Sequence, residues 1–592
     1  MMFTKISEVY YMNICKSEIL NYIRKEGYTN QRAIADHIDY SLGIVNKEVR
    51  ELCKDGYLTE QFFLTKKAYQ ELESKKPKNA IILAAGYGMR MVPINTEIPK
   101  GLLEVQGKTL IERLILQLQE VGIFQIDIVV GFLKEKYEYL IDEYGVNLVY
   151  NVEYASKNNL HSLNLVIDKV SNTYIIPCDI WAEKNPFSDH ELYSWYSVTD
   201  VTDNESTVRI NRKRELISIP KGKSGNTMIG ICYLLEEEAT TVRETVKVLC
   251  GNARYDNSFW EDALFSTSQL TIYAKVYSSH KMVEINTYEQ LRELDEHSNS
   301  LNTEIITLIA NQFVIEPKSV GNIDILKKGM TNRSFKFNIG KKQYIMRIPG
   351  EGTAQLINRA GEYNVYKTIL EYKIGDHVIF ISPDTGYKIT EYMDNAKVCD
   401  PYNLIEVTLC MKKLRAFHNL KLTVGHTFDL YERIDFYESL WNGNPSIFKD
   451  YLETKRKVRT LHDFISRLPK EWCLTHIDAV PDNFLFSNDN IYLIDWEYAA
   501  MQDPHLDIAM FAIYSMYDRY HVDKLIDSYF IEGCPREVRA KIYAYIAISG
   551  LLWSNWCEYK RLCGVEFGEY SLRQYRYAKE YYNIMKEEGL YE

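Results

Sequence analysis

The sequence predicts a multidomain chain of three parts: a small helical module with a β-ribbon, an α/β domain with a mostly parallel sheet, and an α+β domain. Three observations carry this. At 592 residues the chain is too long for one hydrophobic core, and two polar stretches, ESKKPKN at 73–79 and DEHSNSLNTE at 295–304, mark joints. After the first joint, AIILAAGYG opens a run in which strands alternate with helices, the pattern of a parallel sheet. Further on, residues 474–499 read as loop, strand, turn, strand and loop, with acids at the loop and strand ends. The boundaries expected are 1–76, 78–298 and 300–592.

Apolar residues make up 46% of the chain, enough to bury several cores. A formal charge of −11 argues against a protein that coats nucleic acid through its overall field, though not against a local DNA-reading module. The N-terminus has no basic region, apolar stretch and cleavage site in succession, and no apolar run is long enough to span a bilayer. Eleven scattered cysteines show no C-x-x-C pairing, so neither a zinc site nor a disulfide frame is expected, and a cytoplasmic location fits.

In the first module, ICKSEILNYIRKEG carries apolar residues at helical spacing and QRAIADHIDY forms a second helix. Ser41 then caps a third, SLGIVNKEVRELCKDG, which ends at Gly56. YLTEQFFLT reads as two short strands and KKAYQELESKK as a helix leading out. This is the order of a winged helix-turn-helix, and DGYLTEQFFLTKKAYQEL resembles the ending of MarR-like regulators. The third helix would enter a DNA major groove with Asn46, Lys47 and Arg50 outward. The same fold also serves as a protein-docking module. The chemistry-bearing motifs all lie downstream, so removing residues 1–76 is expected to leave their reactions intact.

The α/β domain opens on NAIILAAGYGMRMVPINTEIPKGLLEV. A strand buried on both faces runs into Ala84, Ala85, Gly86 and Gly88, where backbone N–H groups can approach phosphate oxygens closely. Arg90 and Lys100 add positive charge where pyrophosphate would leave. The string L-A-A-G-x-G-x-R-x-x-P…P-K-x-L resembles the signature of nucleotidylyltransferases that couple a nucleoside triphosphate to a phosphate monoester. Met89 stands where those enzymes usually carry Thr or Ser, which removes one hydroxyl contact. Asp179 ends the strand TYIIPCDIWA, at the edge of the sheet where open α/β folds bind ligands. A Mg²⁺ held there would bridge the reacting phosphates; a capping role is the plainer alternative.

YASKNNLHSL, with Asn158, Asn159 and Ser162, stands where sugar-phosphate enzymes of this fold carry a P-x-G-T-A segment. With GFLKEKYEYL and KMVEINTYEQLREL it resembles bacterial CTP:phosphocholine cytidylyltransferases. The resemblance implies CTP and phosphocholine as substrates, with Asn159 near the nucleotide. That family carries an acid where Asn286 stands, so the second metal carboxylate falls to Glu284, or to Glu261 in FWED. Trp260, Phe259 and Trp181 are candidates to hold a trimethylammonium group, and core packing is the alternative for each.

The last domain begins as a β-meander, VGNIDILKKGMTNRSFKFNIGKKQYIMRIPG. Gly329, Thr331 and Asn332 would form the loop over the nucleotide, and Arg347 would neutralise its phosphates, oriented by Glu362. A hinge is expected at 391–393, with Glu391 and Met393 beside adenine. HIDAVPDN then spaces His476, Asp478 and Asn483 as H-x-D-x-x-x-x-N, and Asp495 follows at the end of the next strand. Phosphoryl transfer to a hydroxyl needs this set: a carboxylate to take the proton, and an amide and a second carboxylate to hold Mg²⁺. Ile477 replaces the arginine of the protein-kinase loop and Asp495-Trp496-Glu497 replaces D-F-G. The arrangement resembles small-molecule kinases of the choline and aminoglycoside type. LCMKKLRAFHNL with His418, and LDIAMF with Asp507, also resemble elements of those kinases, the aspartate bracing the catalytic loop. In GLLWSNWCEYK, Trp553 and Trp556 lie i, i+3 on a helix and share a face. Choline kinases use two such tryptophans and a downstream tyrosine as an aromatic box, which implies that role for Trp553, Trp556 and Tyr577, with Glu497 adding charge near the cation.

The two resemblances reinforce one another, since one family makes phosphocholine and the other consumes it. Together they imply a bifunctional enzyme of CDP-choline synthesis that uses ATP, CTP and Mg²⁺, with duplex DNA as a further candidate partner. The alternatives are an aminoglycoside-type kinase fused to a sugar-phosphate nucleotidylyltransferase, and a choline-responsive transcriptional regulator.

Overall fold

The computed structural model describes residues 12–265, 270–327, 332–350, 356–488, 490–563 and 565–590. It divides into two compact units, Met1–Thr307 and Leu308–Glu592.

The first unit begins with three short helices, α1 (Ile14–Glu26), α2 (Gln31–Ile38) and α3 (Leu42–Lys54). Asn13, Asn30 and Ser41 cap them by accepting the N–H of Lys16, Ala33 and Ile44, which satisfies donors that a first turn leaves open. Thr65 caps α4 (Lys66–Ser74) in the same way. The two strands expected between α3 and α4 reduce to one bridge, Leu58 to Leu64, because Phe62 takes a left-handed conformation (φ 63°) and closes the turn at once. The surface of α3 also differs from expectation. Lys47 and Arg50 are exposed, but Asn46 is half-buried with its Oδ1 inside.

The module is not an independent bead. Leu192, from the α/β domain, is buried in the module's own hydrophobic core. Arg24 donates to both oxygens of Asp189 (3.0 and 2.7 Å), the Tyr193 hydroxyl donates to Glu18 (2.7 Å), and Arg214 stacks on Tyr40 and bonds Asp39. Deleting residues 1–76 therefore exposes Leu192, forfeiting about 1.5–3 kcal/mol from that side chain alone. The melting transition of the first unit should fall and that of the second should stay in place, as read by calorimetry of the truncated chain.

The α/β domain is built on a seven-stranded sheet in the order Tyr273–Tyr277, Trp195–Asp203, Gly225–Leu234, Thr173–Pro177, Asn79–Ala84, Ile126–Val130 and Asn147–Tyr150. Only Gly225–Leu234 pairs antiparallel with its neighbours, so the sheet is mostly parallel. Asn79–Ala84 is buried along its whole length, as a strand covered on both faces must be. Beside this sheet, the short pair Ile180–Ala182 and Met282–Glu284 sets Glu284 opposite Ile180.

In the second unit an antiparallel five-stranded sheet runs Gly321–Lys327, Asn332–Ile339, Lys342–Pro349, Lys388–Glu391 and Val378–Ile381. The helix Arg359–Ile369 packs beside it. A helical lobe follows, centred on Arg536–Leu562, and the hairpin Phe484–Ser487 and Asn490–Leu493 lies between the His476–Asn483 segment and Asp495. Gly329 and Thr331 lie outside the described residues.

Candidate active sites

In the first unit, strand Asn79–Ala84 delivers its C-terminal end to the phosphate-loop segment. Gly88 has φ 60°, and a Cβ there would lie 2.7 Å from Lys100 Cγ, so glycine is required for the loop to close over the lysine. Gly86 faces open space. Lys100 Nζ donates to Asp179 Oδ2 (2.7 Å) and to Asn286 Oδ1 (2.8 Å), and Arg90 donates to the same Asn286 oxygen (2.7 Å). The structure thus brings Arg90, Lys100, Asp179 and Asn286 into one cluster from four separate segments. Ile285 N–H donates to the Asp179 carbonyl (2.9 Å), tying the end of the Glu284 strand to the turn that holds Asp179.

The two acids fit a hard cation. Asp179 is buried with Oδ1 free of any hydrogen bond among the described residues. Burial, together with the Asp179 carboxylate, pushes Glu284 up to about 7. Among the described residues no group of three or more His, Cys, Asp or Glu is assembled as a metal cage. Two oxygen donors with the rest of the shell left to phosphate and water is the manner in which Mg²⁺ is held.

Other sequence candidates fall elsewhere. Asn159 accepts the Trp260 N–H (2.8 Å), and Asn158 donates to the Asn257 carbonyl (3.1 Å), so both hold the 256–260 segment in place. Trp260 is 2% exposed and packs in the core near Tyr196, while its neighbour Phe259 is 59% exposed. Glu261 is half-buried, and desolvation pushes it up to about 7; the Tyr196 hydroxyl donates to it (3.0 Å) and its Oε2 has no partner among the described residues.

In the second unit the loop from His476 to Asn483 is held from behind. Asp507 accepts the backbone N–H of His476 (3.0 Å) and of Ile477 (2.6 Å), and its Oδ2 also meets His418 Nε2 (2.9 Å). Ile477 has φ 69° and Asp495 φ 65°. A β-branched residue in that region costs about 1–3 kcal/mol, so the loop is held in a conformation it would not choose alone. Asn483 Nδ2 donates to the Asp478 carbonyl (2.8 Å) and carboxylate (3.0 Å). Burial, then the Asp495 and Glu497 carboxylates, push Asp478 well above the usual carboxylate range, which raises its affinity for a proton.

Arg347 forms a two-pronged pair with Glu362 (2.6 and 2.8 Å), and its Nη1 lies 3.6 Å from Asp495 and 3.8 Å from Glu497. Burial pushes Glu362 up, but the Arg347 charge and hydrogen bonds outweigh it and leave the carboxyl low. Arg359 meets both Glu362 (3.0 Å) and Glu497 (3.4 Å), and Asn332 donates to Glu497 (3.3 Å). Glu497 therefore sits in the arginine network, on the side of Asn332, and not among the rings. Burial and Asp495 push it up to about 7. Glu391 and Met393 line a cavity of about 670 Å³ together with Tyr366, Asp376 and Tyr492.

Trp553 and Trp556 do share a helix face, with ring centroids 5.6 Å apart and near perpendicular. Rings continue on both sides: Tyr498 lies 6.0 Å from Trp553, Phe567 lies 4.9 Å from Trp556, and Tyr570 lies 6.4 Å from Phe567. Tyr577 is not in this group. It is fully buried, donates its hydroxyl to the Tyr517 carbonyl (2.6 Å), and packs where Gly550 has no side chain. Tyr498, Phe567 and Tyr570 escaped the sequence reading. Tyr498, directly after Glu497, was the one that adjacency to the motif could have flagged.

The choline/ethanolamine kinase family matches residues 323–529, the MobA-like NTP transferase domain residues 80–187, and a winged helix-turn-helix DNA-binding family residues 12–59. The chain is 33% identical over 221 residues to a choline-phosphate cytidylyltransferase of Streptococcus pneumoniae, covering 37% of this chain and 96% of the relative. It is 27% identical over 260 residues to protein LicA of Haemophilus influenzae, covering 41% of this chain and 96% of the relative. A crystal structure of choline kinase LicA from Streptococcus pneumoniae aligns at 26% identity and TM-score 0.42, covering 48% of this chain and all of that one. The chain belongs to the choline-phosphate cytidylyltransferase family, and joins that domain to an N-terminal winged helix-turn-helix and a C-terminal choline/ethanolamine kinase domain.

Proposed function

We propose that the chain makes CDP-choline in two steps, moving the γ-phosphoryl group of ATP to choline and then CMP from CTP to the phosphocholine formed, with release of pyrophosphate. The observation that carries this reading is the pairing of the two families in one polypeptide, because the product of the first reaction is the acceptor of the second.

In the kinase, Asp478 takes the choline hydroxyl proton as the oxygen attacks the γ-phosphorus and ADP leaves. Arg347, held by Glu362, neutralises phosphate charge, and Asn332 belongs to the loop over the nucleotide. Trp553, Trp556, Tyr498 and Tyr570 receive the trimethylammonium group, which cannot donate a hydrogen bond and binds ring faces instead. In the transferase, the phosphocholine oxygen attacks the α-phosphorus of CTP. Ala85, Gly86 and Gly88 let backbone N–H groups face the triphosphate, and Lys100 and Arg90 balance the charge on the departing pyrophosphate. Mg²⁺ would be held by Asp179 and Glu284 in one site and by Asn483 and Asp495 in the other, where it would supply charge neutralisation to the phosphates. The free thiols and nucleotide substrates suit the cytoplasm.

Separate assays of the half-reactions test this reading: ADP release from ATP with choline, and pyrophosphate release from CTP with phosphocholine. Absence of either activity in folded protein would remove that half of the assignment. Acceptor choice gives a finer test. Choline should exceed ethanolamine in kcat/KM by about tenfold, since ring faces only partly replace the hydration of a primary ammonium. Trp553→Ala and Trp556→Ala should erase most of that preference through the choline KM. An unchanged choline KM would make these rings core packing.

For the winged helix we propose duplex DNA as partner. Its hydrogen bonds and ion pairs with the transferase, among the described residues, use α1, the end of α2 and the region of α4, and spare α3. With Lys47 and Arg50 exposed, the reading predicts few phosphate contacts and a shallow salt dependence, roughly −1 to −3 in log–log slope. A steep slope, or binding indifferent to Arg50→Ala, would contradict it.

A further inference from the structure

In the cluster of Arg90, Lys100, Asp179 and Asn286, only Asn286 carries no charge, and its amide meets charge on two sides. Its Oδ1 accepts from Lys100 Nζ (2.8 Å) and from Arg90 Nη2 (2.7 Å). Lysine and arginine only donate, so the amide must turn its oxygen to them. Asn286 also hydrogen-bonds the Glu284 carboxylate. An ionised carboxylate only accepts, so the amide nitrogen lies on that side.

The backbone fixes where this amide stands. Just before it, Ile285 N–H donates to the Asp179 carbonyl (2.9 Å), and Asn286 N–H itself donates to Gln290 Oε1 (2.7 Å). Gln290 belongs to the capping box that starts helix Tyr288–Leu294 on Thr287. Asn286 is thus pinned between the strand of Glu284 and that helix, and it stays half-buried, open to solvent on the side of the exposed Arg90.

Charge decides what the arrangement can do. Lys100 also donates to Asp179 Oδ2 (2.7 Å), so one carboxylate oxygen already holds a cation of the chain. A hydrogen bond between two charged groups is roughly twice as strong as one between neutral groups. A neutral amide oxygen therefore holds Arg90 and Lys100 in place yet yields them to the more strongly charged oxygens of a triphosphate. An aspartate at this position would keep both cations and would turn an oxygen without a proton toward Glu284.

We propose that Asn286 is a positioning residue of the transferase: its oxygen holds Arg90 and Lys100 ready for the triphosphate, its nitrogen steadies Glu284, and its lack of charge keeps the site from capturing a divalent ion ahead of the nucleotide. Triphosphate oxygens then take Arg90 and Lys100 from Asn286, which leaves Asp179 and Glu284 to meet the Mg²⁺ that the nucleotide carries. The inference rests on the transferase reading for the identity of the nucleotide and on nothing in the kinase domain.

Mn²⁺ titration of the full chain, followed by electron paramagnetic resonance with and without α,β-methylene-CTP, tests it. The kinase site is common to every variant and cancels in the comparison. Asn286→Asp should bind Mn²⁺ without nucleotide about tenfold more tightly than the wild-type chain, because affinity follows the number of charged ligands. Its KM for CTP should rise by about tenfold in pyrophosphate-release kinetics, since the carboxylate retains the cations that the triphosphate needs. Asn286→Ala adds no charge, so it should leave nucleotide-free Mn²⁺ binding as in the wild type and still raise the CTP KM by about threefold or more. That second variant keeps the test decisive where the aspartate variant does not fold. A role in packing alone would give no gain of metal affinity in either variant. Unchanged nucleotide-free Mn²⁺ binding in folded Asn286→Asp, an unchanged CTP KM in Asn286→Ala, or wild-type binding of Mn²⁺ that is equal with and without the analogue would overturn the inference, while pyrophosphate release by the wild-type chain would keep the transferase reading. A wild-type chain that releases no pyrophosphate from CTP and phosphocholine would overturn both.

Discussion

Asp478→Asn is expected to lower choline phosphorylation by about 10²–10⁴-fold while leaving the KM for ATP near its original value. The substitution keeps the shape of the side chain and removes its capacity to take a proton. Little else should move. The backbone around it is fixed by Asp507 through His476 and Ile477, and Asn483 donates to the residue 478 carbonyl as well as to its carboxylate. Among the described residues, the hydrogen bonds and ion pairs that join Arg347 to Glu362 and Arg359 to Glu497 do not include Asp478. A fall in kcat with unchanged ATP binding, measured by steady-state kinetics with either substrate varied, marks a base. Full activity in a folded variant would remove Asp478 from the mechanism.

Asp179→Ala should separate the two reactions. It removes a buried carboxylate that faces Lys100 at 2.7 Å and lies in the turn just before the strand that pairs with that of Glu284. Loss of a metal carboxylate forfeits several kcal/mol of charge stabilisation, about 10²–10⁴ in rate. Cytidylyl transfer should fall by that factor and choline phosphorylation should be unchanged, so phosphocholine accumulates. Asp495→Ala should do the reverse, with supplied phosphocholine still converted at the normal rate. Loss of both activities in either folded variant would contradict two separate sites.

What the sequence made legible was local. The Ser41 cap on Ile44 and the Asn483 bond to Asp478 are set by neighbours a few residues away, whereas Gly88 answers to Lys100 and the backbone of the H-x-D-x-x-x-x-N loop to Asp507. Pairing across larger separations was legible only where charge narrowed the choice, as for Arg347 with Glu362. Helix phase misled where two aromatic residues competed. Tyr570 and Tyr577 lie on one helix, and the close approach at Gly550 draws Tyr577 into the core and leaves Tyr570 beside Phe567. The same happened with adjacent residues at Phe259 and Trp260. Glu497 borders both Asp495 and Tyr498, and only the folded positions of Arg359 and Asn332 decide which side it serves. The docking of the winged helix was invisible, because Leu192 and Asp189 read as ordinary loop residues until the chain is folded.

The most direct measurement follows one labelled molecule through the whole chain. Methyl-labelled choline is incubated with the full-length protein, ATP, CTP and Mg²⁺, and the label is resolved by chromatography over time. The account predicts that label appears first in phosphocholine and then in CDP-choline, with phosphocholine as the end point when CTP is omitted. Label that stays in choline, or that stops at phosphocholine with CTP present, would contradict it.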